Sequence, residues 1–255
     1  MKIAICHVAQ SNVMSEASHK SELETQVLFG EAVTILETKN NWARIQAQWD
    51  NYEGWVLHTQ FTVVENLPAT EFMQEPILGQ MRLANHIIYL PAGASLPNLK
   101  NHDLLIGHLP FQLLSNAVKF QSSFRQENIL PIVLSYMHVP YVWGGRTHAG
   151  IDCSGFSAML YKYFNIPLKH EATWQSQQGQ VLDFLQNAKC GDLAFFDDED
   201  GNITHVGILL NESEIIHATE SAGGVTIDDI DNAGIVSRLT GKRTHRLRVV
   251  KRIVE

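Results

Sequence analysis

Cysteine is scarce in this chain: Cys6, Cys153 and Cys190 are the three in 255 residues. An odd, sparse set without metal-ligand spacing excludes a disulfide framework and a cysteine-rich zinc fold, and it suits free thiols in a reducing compartment. Long apolar runs are missing too, and no stretch reaches the length needed to span a bilayer. The apolar residues that follow Lys2 are interrupted by His7 and Gln10 with no small-residue cleavage pattern behind them. Neither signal peptide nor anchor is therefore expected, and a cytoplasmic location is inferred. Basic residues are in deficit, 19 Lys and Arg against 27 Asp and Glu, for a formal net charge of -8. Long-range steering works against nucleic acid, anionic membrane and acidic wall polymers as partners. His86, His102 and His108 lack ligand spacing, and the acidic run Asp197 to Asp200 lacks the register of a calcium loop, so no metal or other cofactor is expected.

A hydrophobic content of 45% over this length is enough for a substantial core. From Ile3 to Val64 short strand signals alternate with Asn40-Asn41 and Asp50-Asn51 turns, predicting an independent small β-barrel over residues 1–64 closed by Trp42, Trp49 and Trp55. The pieces Gly30-Glu-Ala-Val-Thr-Ile-Leu-Glu, Trp42 and Tyr52-Glu-Gly-Trp-Val resemble a bacterial SH3-like domain. Residues 65–125 are broken by Pro68, Pro76, Pro91, Pro97 and Pro110 and are read as a second, degenerate barrel of that type or a linker region. Residues 126–255 form the third segment. It opens with a helix predicted over Asn128 to Met137, with Pro131 in its first turn and Ile129, Ile132, Val133 and Tyr136 on one face. Helices give way to antiparallel strands towards the C-terminus, an α+β arrangement.

The chain is organised around Tyr141 to Phe156. There a glycine-rich turn becomes a helix at Cys153, with Asp152 placed to cap it and Phe156, Met159, Leu160 and Tyr163 at helical spacing. Backbone N–H groups and the positive end of the helix would lower the Cys153 pKa, provided the turn keeps the thiol near solvent. Cys6 and Cys190 have no such setting.

A nucleophilic thiol needs a base, and the base needs a group to orient it. Downstream stand His170, His205, His217 and His245. His205 opens an apolar strand and His217 lies in the next, so a hairpin could bring both to the Cys153 helix. Strand geometry sets a condition: a connection of two or four residues would place them on opposite faces, whereas an odd connection keeps them together. A three-residue connection or a bulge is therefore predicted between Leu210 and Glu214.

Five pieces occur in order: Tyr141-Val-Trp-Gly-Gly, Asp152-Cys-Ser-Gly-Phe, Gly191-Asp-Leu-Ala-Phe-Phe, His205-Val-Gly-Ile and Ile216-His-Ala. Together they resemble an NlpC/P60 cysteine peptidase domain, and with SH3-like modules in front the chain is similar to the γ-D-glutamyl-L-diamino acid endopeptidases. The resemblance implies a papain-like fold with Cys153 as nucleophile, His205 as base and His217 as the residue orienting it. It implies a murein peptide as partner, L-Ala-γ-D-Glu followed by diaminopimelate or Lys, cleaved before the diamino acid during recycling of released wall peptides. Its free L-Ala amine would be recognised by Tyr141, Trp143, Asp152 and Ser154, with Tyr52 and Glu22 of the first module completing the wall. Thr173, in His170-Glu-Ala-Thr-Trp-Gln, stands where related sequences carry a substrate-binding serine. The competing readings are a secreted hydrolase acting on intact wall and a murein-peptide-binding protein without activity.

Overall fold

The computed structural model describes residues 2–255, which fall into two compact units, 1–120 and 121–255. In the first, seven antiparallel strands are ordered Leu23–Leu28, Gln10–Met14, Glu53–Leu57, Trp42–Ala47, Ala32–Lys39, Lys2–Cys6 and Phe61–Val64. Their interior is aliphatic: Ala4, Val13, Val27, Val33, Ala43, Ile45 and Val56 form one cluster. The tryptophans do not close it. Ala43 and Val56 point inward, so their neighbours Trp42 and Trp55 fall on the other face by strand alternation. Trp42 is covered instead by the His19 ring, centroids 4.9 Å apart.

Residues 72–119 fold as two short sheets, of four and three strands. Their core is shared with the first sheet: Ile5 and Phe29 pack with Met81, Leu90, Leu96, Ile106, Phe111 and Leu113. Phe29 meets Phe111 edge to face at 5.1 Å between centroids. The first seven strands therefore share an apolar core with the segment that follows them. Gly30 makes the junction possible, because at its φ of +76° any Cβ would run into the Ser95 carbonyl.

The second unit contains three α-helices among the described residues. Helix α1, Gln126–Ser135, begins two residues earlier than predicted, which puts Pro131 inside it rather than in its first turn. Ile129, Ile132, Val133 and Tyr136 are buried as their spacing requires. Helix α2, Cys153–Lys162, is buried along its whole length, and α3 is the single turn Ala172–Gln175. No helix of the described residues is long and apolar enough to cross a membrane.

The strands of this unit close on themselves. The order runs Arg243–Arg252, Leu193–Asp197, Ile203–Leu209, Glu214–Thr219, Gly224–Asp231, Gly234–Val236, and the last of these pairs back with the first. This six-stranded barrel makes the unit mostly sheet, so the α+β description holds only loosely: the helices flank a closed barrel. Leu209 and Ile215 lie in one apolar cluster with Ala194, Phe196, Ile230, Ile235 and Val250. His205 shares its side of the Ile203–Leu209 strand with Leu209, and His217 shares its side of the Glu214–Thr219 strand with Ile215.

Candidate active site

The position of Cys153 is built by hydrogen bonds that tie a glycine turn to the start of α2. The Gly145 N–H donates to the Val142 carbonyl at 2.9 Å and the Asp152 N–H to the Gly145 carbonyl at 3.2 Å. The Asp152 carboxylate then accepts from the Gly155 N–H at 2.6 Å, capping the helix, from the Gly144 N–H at 2.8 Å, and from the Ser154 hydroxyl at 3.2 Å. Cys153 is thereby the first residue of the helix, its own N–H among those without an intrahelical acceptor.

The histidine hairpin meets the parity condition. Leu210 donates its N–H to the Glu214 carbonyl at 2.9 Å, which leaves Asn211, Glu212 and Ser213 as a three-residue connection. His205 Nε2 lies 2.8 Å from His217 Nδ1. Gly207 sits between them on the same face, where a Cβ would come within 3.0 Å of the His217 Cβ. A glycine here leaves the His217 ring room to reach across to His205.

Beyond His217 the line continues to a residue that the sequence reading did not single out. His217 Nε2 is 3.1 Å from Asp228 Oδ2, and Asp228 Oδ1 accepts from the Arg238 N–H at 2.8 Å. Burial pushes the Asp228 carboxyl up, but the His217 and Arg238 hydrogen bonds outweigh it and hold the group below the usual carboxylate range. An ionised carboxylate only accepts, so His217 Nε2 is the donor. With one proton on its ring, His217 then accepts at Nδ1, and His205 Nε2 is the donor there. The lone pair left on His205 is then at Nδ1. Alternation along Thr226-Ile-Asp-Asp was the available signal for Asp228, whose strand pairs with that of His217.

His245, on the barrel's closing strand, also went unassigned. Its ring stacks on His205, centroids 4.2 Å apart with 22° between planes, and Phe196 contacts both rings. Burial and then the neighbouring His217 lower its pKa to about 4. His205 is held well below its ordinary value by burial, His217 and His245. The three ring systems could be taken for a metal cluster, since their nitrogens lie within 4.8 Å of one another. The near-parallel His205–His245 stack and the His205–His217 hydrogen bond instead fit imidazoles held against each other.

Cys153 departs from expectation in one respect. Its condition of solvent proximity is not met: the residue is 8% exposed. Burial, with the Asp152 charge behind it, pushes the thiol up to about 12, against the backbone N–H groups of Val206, Ser154 and Cys153 that favour the thiolate. The Val206 contact also puts the sulfur beside the residue that follows His205. Both shifts favour the neutral forms of thiol and imidazole over an ion pair.

Of the other predicted residues, Tyr141 and Trp143 line an open cleft of about 500 Å³ with Glu220 and Gly223. Trp143 is 61% exposed. Burial and the charges of Cys153, Asp152 and Glu220 keep the Tyr141 phenol above its ordinary range, hence a neutral O–H donor. Ser154 is buried, and its carbonyl accepts from Ser157 and from Gln175 of α3. Thr173 donates its hydroxyl to the Ile203 carbonyl at 3.0 Å, fixing α3 against the His205 strand. Tyr52 and Glu22 belong to the first unit, where the Tyr52 hydroxyl donates to Glu24 at 2.8 Å.

A buried helix with a thiol at its N-terminus, set against a barrel that supplies an imidazole line, has the parts of a hydrolase of the peptidase class. The chain carries a domain of the NlpC/P60 family, matched over residues 138–244, and a bacterial dipeptidyl-peptidase SH3 domain, matched over residues 13–61. It is 25% identical over 264 residues to a gamma-D-glutamyl-L-lysine dipeptidyl-peptidase of Bacillus cereus, covering 89% of this chain and 77% of that one. With the protein of the same name from Bacillus subtilis it shares 27% over 225 residues, 80% and 75% of the two chains. Its fold is that of a crystal structure of an NlpC/P60 family protein from Bacillus cereus, with a TM-score of 0.83 at 17% identity over 99% and 100% of the chains.

Proposed function

We propose that the chain is a cysteine endopeptidase cleaving the bond between γ-D-Glu and the diamino acid, Lys or diaminopimelate, in short murein peptides with a free N-terminal L-Ala. One observation carries the reading: the hydrogen-bonded line His205, His217, Asp228, which starts one residue before the Val206 backbone N–H that faces the Cys153 sulfur. The names of the two Bacillus relatives support the choice of bond. On attack the Cys153 proton passes to His205 Nδ1 as the sulfur bonds the γ-carbonyl carbon. The oxyanion faces the Cys153 N–H at the start of α2. Collapse breaks the C–N bond, and the His205 proton leaves with the diamino-acid amine. Water, deprotonated by His205, then hydrolyses the thioester, releasing L-Ala-γ-D-Glu and returning the proton to Cys153.

We further infer a place in recycling of released wall peptides in the cytoplasm. The three free cysteines support a reducing compartment, and the net charge of -8 disfavours acidic intact wall as substrate. The test is release of L-Ala-γ-D-Glu from L-Ala-γ-D-Glu-L-Lys, followed by chromatography. Cys153→Ala should abolish it while the circular dichroism spectrum is kept; turnover surviving in that variant would refute the assignment.

A further inference from the structure

The sequence nominates Asp152 as the carboxylate that meets the substrate's amine, and the structure gives it a second duty. Asp152 is 6% exposed. Both its oxygens are committed, one to Gly155 and Ser154 and the other to Gly144, in bonds that cap α2 and hold the glycine turn. Drawing that carboxylate towards a ligand would undo the placement of Cys153 itself.

Glu220 has the opposite character. It opens the single 3₁₀ turn Glu220–Ala222 directly after the His217 strand, and it is exposed. Its side chain makes no hydrogen bond or ion pair among the described residues, although it lines the cleft together with Tyr141, Trp143 and Gly223. The turn is fixed against the Cys153 loop: the Tyr141 N–H donates to the Gly223 carbonyl at 3.0 Å, Pro140 bridges to Gly224, and Gly223 takes the left-handed conformation at φ +73°. Glu220 and Cys153 both act electrostatically on the Tyr141 phenol, which places the carboxylate and the sulfur around one side chain. An open cleft with two aromatic faces and one uncommitted carboxylate is chemically suited to a primary ammonium, through a charge-assisted hydrogen bond and cation–π contact.

We propose that Glu220 receives an ammonium group of the substrate in the cleft beside Cys153. The inference builds on the proposed peptidase reading. The ammonium comes either from the N-terminal L-Ala or from the side chain of the diamino acid.

The test has a part that needs no peptide. Cys153 is modified with 2-aminoethyl methanethiosulfonate, a cation, and with neutral methyl methanethiosulfonate, in a background where Cys6 and Cys190 are serine. Glu220→Gln should lower the ratio of the two rates about fivefold or more, and Glu220→Asp should restore most of it. Because both rates share the same thiol, a general change in Cys153 reactivity cancels. An unchanged ratio overturns the proposal. With peptides, Glu220→Gln should raise KM for L-Ala-γ-D-Glu-L-Lys about tenfold with kcat nearly constant, the size of one charge-assisted hydrogen bond. If N-acetylation removes that penalty, the L-Ala amine is the partner; if replacing Lys by norleucine removes it, the side-chain ammonium is. A penalty equal for all three peptides, or none, overturns the proposal. Should the wild-type enzyme leave the tripeptide uncut, the peptidase reading fails and the modification ratio alone decides for or against Glu220.

Discussion

His217 accepts from His205 at 2.8 Å because its other nitrogen is committed to Asp228 at 3.1 Å, so a carboxylate two side chains away from the thiol decides which nitrogen of His205 is basic. Asp228→Asn tests that dependence. An amide can present its NH₂ to His217 Nε2, which would turn the His217 ring into a donor at Nδ1 and move the His205 lone pair away from Cys153. The expected result is a fall in kcat of about 10²- to 10⁴-fold with little change in KM, the scale of tautomer loss in a serine-protease triad. Steady-state kinetics at several pH values check it. A loss under threefold would show that His217 holds its tautomer without Asp228.

The protonation states of Cys153 and His205 set a second expectation. With the thiol pushed up to about 12 and the imidazole well below its usual value, the free enzyme has almost no thiolate at neutral pH. Alkylation by iodoacetamide in the absence of peptide should be slow at pH 7 and rise roughly tenfold per pH unit through pH 8 and 9, following the free thiol. Stopped-flow loss of activity gives the rate. Fast, pH-independent alkylation below pH 7 would instead reveal a preformed ion pair.

Several parts of this arrangement could be read before any coordinates. Cys153 at a capped helix start follows from Asp152 and the apolar spacing behind it, and the odd hairpin connection follows from requiring two histidines on one face. Asp228 and His245 could not be placed the same way. His245 reaches the site from a strand whose long-range partner is Leu193–Asp197, a pairing that leaves no local pattern, and Asp228 reaches it from the strand beside that of His217, where alternation alone does not say which buried carboxylate meets a histidine. Exposure failed for a related reason. The spacing of Phe156, Met159 and Leu160 predicts one buried face for α2, yet packing from all sides buries the whole helix, and with it the thiol. The core that the first seven strands share with residues 81–113 was not legible, because Ile5 and Phe29 look like interior residues of their own sheet and their partners lie more than fifty residues onward.

That shared core predicts how the first unit folds. Phe29 is fully buried and meets Phe111 edge to face. Phe29→Ala should cost about 3–5 kcal/mol, the usual range for a buried aromatic. A fragment of residues 1–64 should lack a cooperative thermal transition, whereas residues 1–120 should melt as one. Circular dichroism melts of both fragments check this. Cooperative unfolding of 1–64 alone would mean that the first sheet is stable without the apolar partners it has in the intact unit.

The stacked imidazoles give the protein an acid sensitivity of defined sign. His205 and His245 are both shifted down from 6.5, His245 to about 4, by burial among rings that include His217 and Phe196. In the unfolded chain each would take up a proton near its ordinary value, so between pH 6.5 and 4 the unfolded state binds more protons than the fold. Their contribution is complete above about pH 6.5 and is lost as the pH falls towards the folded pKa. The upper part of this window, above about pH 5.5, lies beyond the range in which the surface carboxylates titrate, which separates the two effects there. Urea unfolding of the wild type should show stability declining by on the order of 2 kcal/mol or more between pH 7 and pH 4.5. His245→Phe keeps a ring against His205 and removes one of the titrating groups, so its stability should decline less over the same interval. An identical decline in the two proteins would show that His245 gains its proton as easily in the fold as in the open chain.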